Sequence, residues 1–349
     1  MIILQNKQVK IVVKIKKQTS IASLILFLSP LLALILMVLS IRYGTKPINT
    51  HTIIEAIMHF DSKQIDHQII WTSRLPRAIG ALLIGACLAV SGALMQGITR
   101  NYLASPSIMG VSDGSVLVIT LLMIFLPNAG SITMIISSLI GSALGAIIVF
   151  SLAWLLPGGL SPICMAVLGT IIGTFLGGVS QALSTYFQVS QNISFWYNAR
   201  LHQMDPHLIK LAIPFFIVGL MIALCLSRSI TILSLGDEIS AGLGQKTELV
   251  KGLSLLAVVI LTGISVALAG KIAFVGLIIP HITRLIVGQD YKWIIPCSAV
   301  LGGLFLAFCD IISRFINSPF ETPVGVVTAL FGVPYFLYLI KTRGGGNHV

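Results

Sequence analysis

The segment AGKIAFVGLIIPHITRLIVG, beginning at Ala269, is apolar enough to lie in lipid yet carries Pro280, His281 and Arg284 close together near its end. An imidazole and a guanidinium beside a helix-loosening proline could form a site inside a membrane, or could mark where the chain leaves it. Elsewhere, residues able to do chemistry are sparse. His51, His59 and His67 recur every eight residues, a spacing that does not gather imidazoles around one metal ion. Cys87, Cys164, Cys225, Cys297 and Cys309 are widely spaced, odd in number and all inside apolar runs, which suits packing rather than a disulfide or metal framework. GLGQKTEL from Gly242 lacks the Gly-Lys-Ser/Thr order of a phosphate-binding loop because Gln245 intervenes, so no nucleotide site is expected on this chain. An enzyme would need a nucleophile with its base or a metal cluster, and a count of spans puts His281 on the opposite face from Asp310 and Glu321.

The elements that must position these residues are membrane helices. Of 349 residues 56% are hydrophobic and only 9% charged, and the mean hydropathy is +0.99. Apolar runs near 21–41, 76–97, 113–126, 132–155, 164–186, 211–227, 252–269, 272–286, 294–312 and 322–340 predict an all-α polytopic bundle of about ten spans. The formal charge of +11 lies mostly between these runs, which fits interfaces and docking partners rather than nucleic acid. Lys7, Lys10, Lys14, Lys16 and Lys17 precede the first run and no small-residue cleavage site follows it, so residues 1–20 read as a basic cytoplasmic tail and 21–41 as a retained span. The transmembrane region then covers 21–340, and 341–349 form a second cytoplasmic tail. On that layout Arg100, Lys246, Lys251 and Arg284 are cytoplasmic, whereas Arg74, Arg77, Lys271 and Arg314 lie on the outside of the membrane, and Asp310 and Arg314 form an exposed pair one helical turn apart. Paired ionisable residues within the spans are almost lacking. Small residues in IGALLIGACLAVSGAL and GSALGAIIVF predict close helix contacts. Two polar stretches stand apart, an external loop at 42–73 and an internal loop at 229–250 with two expected short helices.

WTSRLPRAIGALLIGACLAVSGALMQGITRNYLASPSIMGVSDGS from Trp71 is the most informative stretch, with Arg74 and Arg77 ahead of a span and Pro76 where a helix can start. RLPR, GACLAVSGALMQ, RNYLASPSIMGVSDG, LGDEISAGLG, VALAGKIAFVGLIIPHITRLI, DIISR and ETPVGVVTALFGVPYFLYLI follow one another from about 71 to 340. Together they resemble the FecCD family, the permease subunits of ATP-driven importers of iron-siderophores, haem and cobalamin. Tyr102 and Lys271 stand where that family usually has proline, and FWYNARL from Phe195 replaces its usual Trp-x-x-Gly-Ser pattern.

The resemblance implies a type II ABC importer permease that performs no bond chemistry and passes a ferric siderophore inward, with haem or cobalamin as alternative cargo; a secondary transporter is the different-class alternative. It implies a second permease subunit, identical or similar, two ATPase subunits that hold ATP and Mg, lipid around the bundle in a bacterial cytoplasmic membrane, and no cofactor on this chain. Ile, Lys and Asn usage suggests a low-GC bacterium, whose extracytoplasmic siderophore-binding protein would be lipid-anchored. By position, Arg74 and Arg314 match the family's outward arginines that pair with acids on that binding protein, or else anchor the helix ends. Leu235, Gly236, Asp237, Glu238, Ala241, Gly242 and Gly244 match the loop that packs into the ATPase, with local helix capping as the alternative role of the two acids. His281 and Arg284 are expected near the interface beneath that loop. Asn101 and Leu103, with Ser161 and Pro162, occupy the two turns that form a narrow cytoplasmic gate in related transporters.

Overall fold

The computed structural model describes residues 2–44, 47–107, 109–156, 162–189, 201, 204–317 and 320–343. Each apolar run becomes a helix, because a backbone in hydrocarbon must satisfy its amides within the segment. In chain order these are α1 (Ile2–Arg42), α2 (Thr50–Met58), α3 (Ile65–Ile69), α4 (Leu75–Thr99), α5 (Val111–Phe125), α6 (Ser131–Leu155) and α7 (Pro162–Tyr186). They continue as α8 (Pro206–Leu233), α9 (Asp237–Gly242), α10 (Thr247–Ala269), α11 (Val275–Val287), α12 (Tyr291–Ile316) and α13 (Val324–Arg343), and no strand occurs among the described residues. Among those residues 7 helical stretches are long and apolar enough to cross a membrane, and Val111–Phe125, Val275–Val287 and Val324–Tyr338 are shorter apolar helices. The ten correspond to the ten runs.

Both polar stretches differ from expectation. Region 42–73 is largely helical: α2 buries Ile53 and Ala56 against Ile41, Ile48 and Ile70, and α3 passes through a π turn, Ile70–Arg74, straight into α4. The Trp71 indole N–H donates to the Ala56 carbonyl at 2.8 Å, fastening α2 to that turn. Region 229–250 holds one short helix rather than two, since α8 runs on to Leu233 and α10 already starts at Thr247.

Gly288, just past α11, lies against the Gln18 side chain, so the start of the apolar part of α1 and the end of α11 share one side of the bundle, here termed the tail face. The opposite side, where α1 ends, is the far face. At the centre α4 packs against α8, α10, α11 and α12. Close approach depends on missing side chains: a Cβ on Gly85 would stand 2.2 Å from the Gly302 carbonyl oxygen, and one on Gly92 1.9 Å from that of Gly276. Pro280 has no N–H for the Gly276 carbonyl, and the bare flank of Gly92 covers that oxygen. One residue on, Gln96 Nε2 donates to the Leu277 carbonyl at 3.1 Å. Helices α5, α6 and α7 form a second group, joined to the first mainly through α10.

Candidate functional site

At the tail face, Gly236 and Gly244 have φ of 131° and 79°, conformations that side chains disfavour, and they fold the chain sharply into and out of α9. Asp237 and Glu238 sit in the first turn of α9, where carboxylates complement the helix dipole. The N-cap is Gly236 and no side chain caps α9, so the local capping role is not seen; Asp237 instead ties elements together. Its Oδ2 accepts from Arg100 Nη2 at 3.1 Å and its Oδ1 lies 3.2 Å from Lys251 Nζ, so one carboxylate joins the end of α4, α9 and α10. Gln245, the residue that breaks the phosphate-loop pattern, donates to the Ser229 carbonyl at 3.0 Å and takes the Ser240 hydroxyl on its oxygen. The loop thus braced presents Leu235, Ile239 and Leu243 to the outside, at 60%, 52% and 66% exposure.

Arg100 begins the turn that leads on from α4. Asn101 Oδ1 accepts from the Leu103 amide at 2.9 Å and shapes this turn, while the side chains of Tyr102 and Leu103 are exposed to about two fifths of their extent. Tyr102 lies over the Arg284 guanidinium at 4.4 Å and edge-on to the His281 ring at 6.0 Å. Arg284 Nη2 also donates to the Tyr291 hydroxyl at 2.7 Å, and His281 meets the Tyr335 ring at 6.2 Å. His281 and Arg284 are therefore buried beneath the α4 turn, where the Tyr102 side chain covers both. Of the second gate turn, Ser161 lies outside the described residues, and Pro162 is the first residue of α7.

At the far face Arg74 and Arg314 direct their guanidiniums onto the end of α1. Arg74 Nη1 donates to the carbonyls of Ile41 and Arg42, and Arg314 donates to the carbonyls of Ser40 and Tyr43 and to the Ser40 hydroxyl. Both guanidiniums thereby cap the end of α1, where the carbonyls and the negative end of the helix dipole favour a cation, and the Arg42 carbonyl also accepts the Ile48 amide at 3.1 Å. Arg314 also pairs with Asp310, and this pair is buried rather than exposed. Arg77 completes the network: its Nη2 is 2.8 Å from Asp310, and its Nη1 is 2.8 Å from each carboxylate oxygen of Glu321. A fork-shaped cation shared by two carboxylates ties α4 to the end of α12 and the approach to α13.

The third charged feature was not legible from span counting. Lys271 Nζ lies 2.6 Å from Asp113 Oδ1, although a span count puts Lys271 at a membrane surface. The motif residues of the sequence thus fall into two clusters at opposite ends, with an ion pair between them.

Such a bundle, with charged clusters at its two ends and helices of membrane length between, defines a polytopic membrane protein. The chain belongs to the FecCD transport family, which matches residues 32–342. It is 60% identical over 322 residues to the iron-uptake system permease protein FeuB of Bacillus subtilis, covering 92% of this chain and 96% of that one. Similarity to the iron(3+)-hydroxamate import system permease protein FhuB of the same organism is 48% over 308 residues, 88% of this chain and 80% of that one. A solved metal-chelate type ABC transporter in an inward-facing conformation superposes with a TM-score of 0.77 at 28% identity, covering 91% of this chain and 99% of that structure.

Proposed function

We propose that this chain is the membrane-spanning subunit of an ATP-driven importer that carries ferric chelates into the bacterial cytoplasm. The observation that carries the reading is α9 with the residues that flank it, a short segment outside the lipid-spanning helices that exposes Leu235, Ile239 and Leu243 and is tethered from Asp237 to the α4 turn by an ion pair. Exposed apolar side chains clustered on such a segment invite a partner, and the tether gives that partner a mechanical connection to Asn101 and Leu103 at the mouth of the bundle.

In this reading the tail face is cytoplasmic, with both termini there, and α9 docks on an ATPase subunit that holds ATP and Mg. A second permease subunit, the same chain or a similar one, completes the path. An extracytoplasmic chelate-binding protein, lipid-anchored in a bacterium of this type, docks on the far face around Arg74 and Arg314, whose guanidiniums order the end of α1 there. ATP binding and hydrolysis shift the balance between outward-open and inward-open states, and this chain makes and breaks no covalent bond. Ferric chelates are favoured over haem and cobalamin because the permeases of 60% and 48% identity are named for iron uptake and iron(3+)-hydroxamate import.

Radio-iron uptake in cells with and without this gene, supplied as catecholate, hydroxamate and carboxylate chelates beside haem and labelled cobalamin, tests the cargo. Loss confined to ferric chelates is the expected result. Unchanged iron uptake with lost haem or cobalamin uptake would replace the cargo.

A further inference from the structure

Two of the membrane helices are too short to cross the hydrocarbon. With 15 and 13 residues, α5 and α11 extend about 22 and 20 Å, against ~30 Å of bilayer core. Their distal ends lie at opposite faces. Helix α11 ends beside Gly288, at the tail face. Helix α5 ends shortly before Ser131, whose hydroxyl bonds Asp205, and Met204 packs on Gly80 near the far end of α4. Both helices therefore begin within the membrane, and Gly276 confirms the depth by packing on Gly92, about 10 Å from the end of α4.

Asp113 and Lys271 meet between these two helix starts. The carboxylate is almost fully buried, and bare flanks of α7 make room for it: a Cβ on Gly173 would stand 2.9 Å from Asp113 Oδ2. The lysine is different, with 26% of its side chain exposed against 5% for the aspartate. Beside it, the Ser107 hydroxyl lies 3.5 Å from the Ile272 carbonyl and from the Ser112 hydroxyl. A partly exposed ammonium at this depth is strongly disfavoured against lipid tails and is tolerated where it meets water or a polar path. Neutralisation alone would not require that the cation be the uncovered member of the pair.

We infer that Lys271 is an anion-handling station on the translocation path, held by Asp113 while the path is empty and pairing with acidic groups of a negatively charged ferric chelate during passage. This rests on the reading of the chain as a ferric-chelate permease and narrows its cargo. Three dianionic catecholates leave a ferric complex strongly negative, and citrate complexes are negative too, whereas three monoanionic hydroxamates leave the iron core neutral. Lys271 favours the first two.

The test uses the complete transporter, with its ATPase and binding protein, in proteoliposomes supplied with ferric catecholate, citrate and trihydroxamate complexes. Lys271→Met should slow uptake of the anionic chelates on the order of tenfold, and Lys271→Arg should retain most of it. The double variant Lys271→Met with Asp113→Asn leaves no orphaned charge, so it should fold and hydrolyse ATP normally while remaining as slow as Lys271→Met. Exchanging the two residues restores a pair but moves the cation to the buried position, and uptake should stay low. Full uptake by the double variant, recovery by the exchange, or a wild type that carries only the uncharged chelate would overturn the inference. A wild type that carries no ferric chelate at all would instead overturn the functional reading beneath it.

Discussion

Arg77 and Asp310, 233 positions apart in the chain, meet with Nε donating to Oδ1 at 2.9 Å, and the side chains are only 8% and 1% exposed. The same carboxylate takes Arg314 on its other oxygen, so one buried anion balances two buried cations with help from Glu321.

Removing that anion should be severe. Asp310→Ala leaves Arg314 without its carboxylate and Arg77 with Glu321 alone, and breaking a buried pair by deleting one partner costs about 3–5 kcal/mol. Thermal unfolding of the detergent-purified protein should shift downward sharply, or folded yield should collapse. Unchanged melting would show that Glu321 and water satisfy the network alone.

Arg74→Glu and Arg314→Glu separate two roles at the far face. Because both guanidiniums hold the last turn of α1, each reversal should lower the melting temperature and weaken binding-protein docking together, while ATPase assembly at the other end persists. Lost docking with full thermal stability would show that the arginines act only as contact residues for the partner.

The tether between Arg100 and Asp237 should matter for coupling far more than for stability. Both side chains are more than two fifths exposed, and such ion pairs contribute only about 0–1 kcal/mol. Arg100→Ala should melt like the wild type yet raise the ATP hydrolysed per iron delivered several-fold, as measured in proteoliposomes. An unchanged ratio would remove this contact from the coupling route.

Gly92 and Gly252 form a matched pair. A methyl on Gly92 would collide with backbone of α11, which cannot rotate away, whereas nothing lies within 4 Å of a Cβ on Gly252. Gly92→Ala should therefore reduce folded transporter in the membrane severalfold or more, and Gly252→Ala should match the wild type by fluorescence-detected size exclusion.

The helices were legible because lipid imposes one rule on every segment, and all ten apolar runs became helices. The position of the 235–244 loop was legible for a similar reason, since glycines and acids punctuate an otherwise apolar chain. Side-chain direction was not. Arg74 and Arg314 were placed at the outer ends of their spans by span count, but their partners, the carbonyls at the end of α1, lie within reach only after the bundle forms. Region 42–73 read as a loop for want of a long apolar run, yet Ile53, Ala56 and Ile70 were enough to fold a short helix onto α4's extension. Alternating span counts also assume that each run crosses completely, which separated Lys271 from Asp113; the short lengths of α5 and α11 were the one available sign that they do not. Tyr102 and Lys271, two departures from the expected family pattern, turned out to be contact residues of Arg284 and Asp113.

Reconstitution decides whether this chain imports a ferric chelate at the expense of ATP. Proteoliposomes holding this chain with its permease partner and ATPase subunits, loaded with ATP and Mg and given the binding protein with radio-iron chelate outside, should accumulate iron only when ATP is hydrolysed inside. Iron uptake that follows a proton gradient in vesicles lacking the ATPase would make the protein a secondary transporter instead.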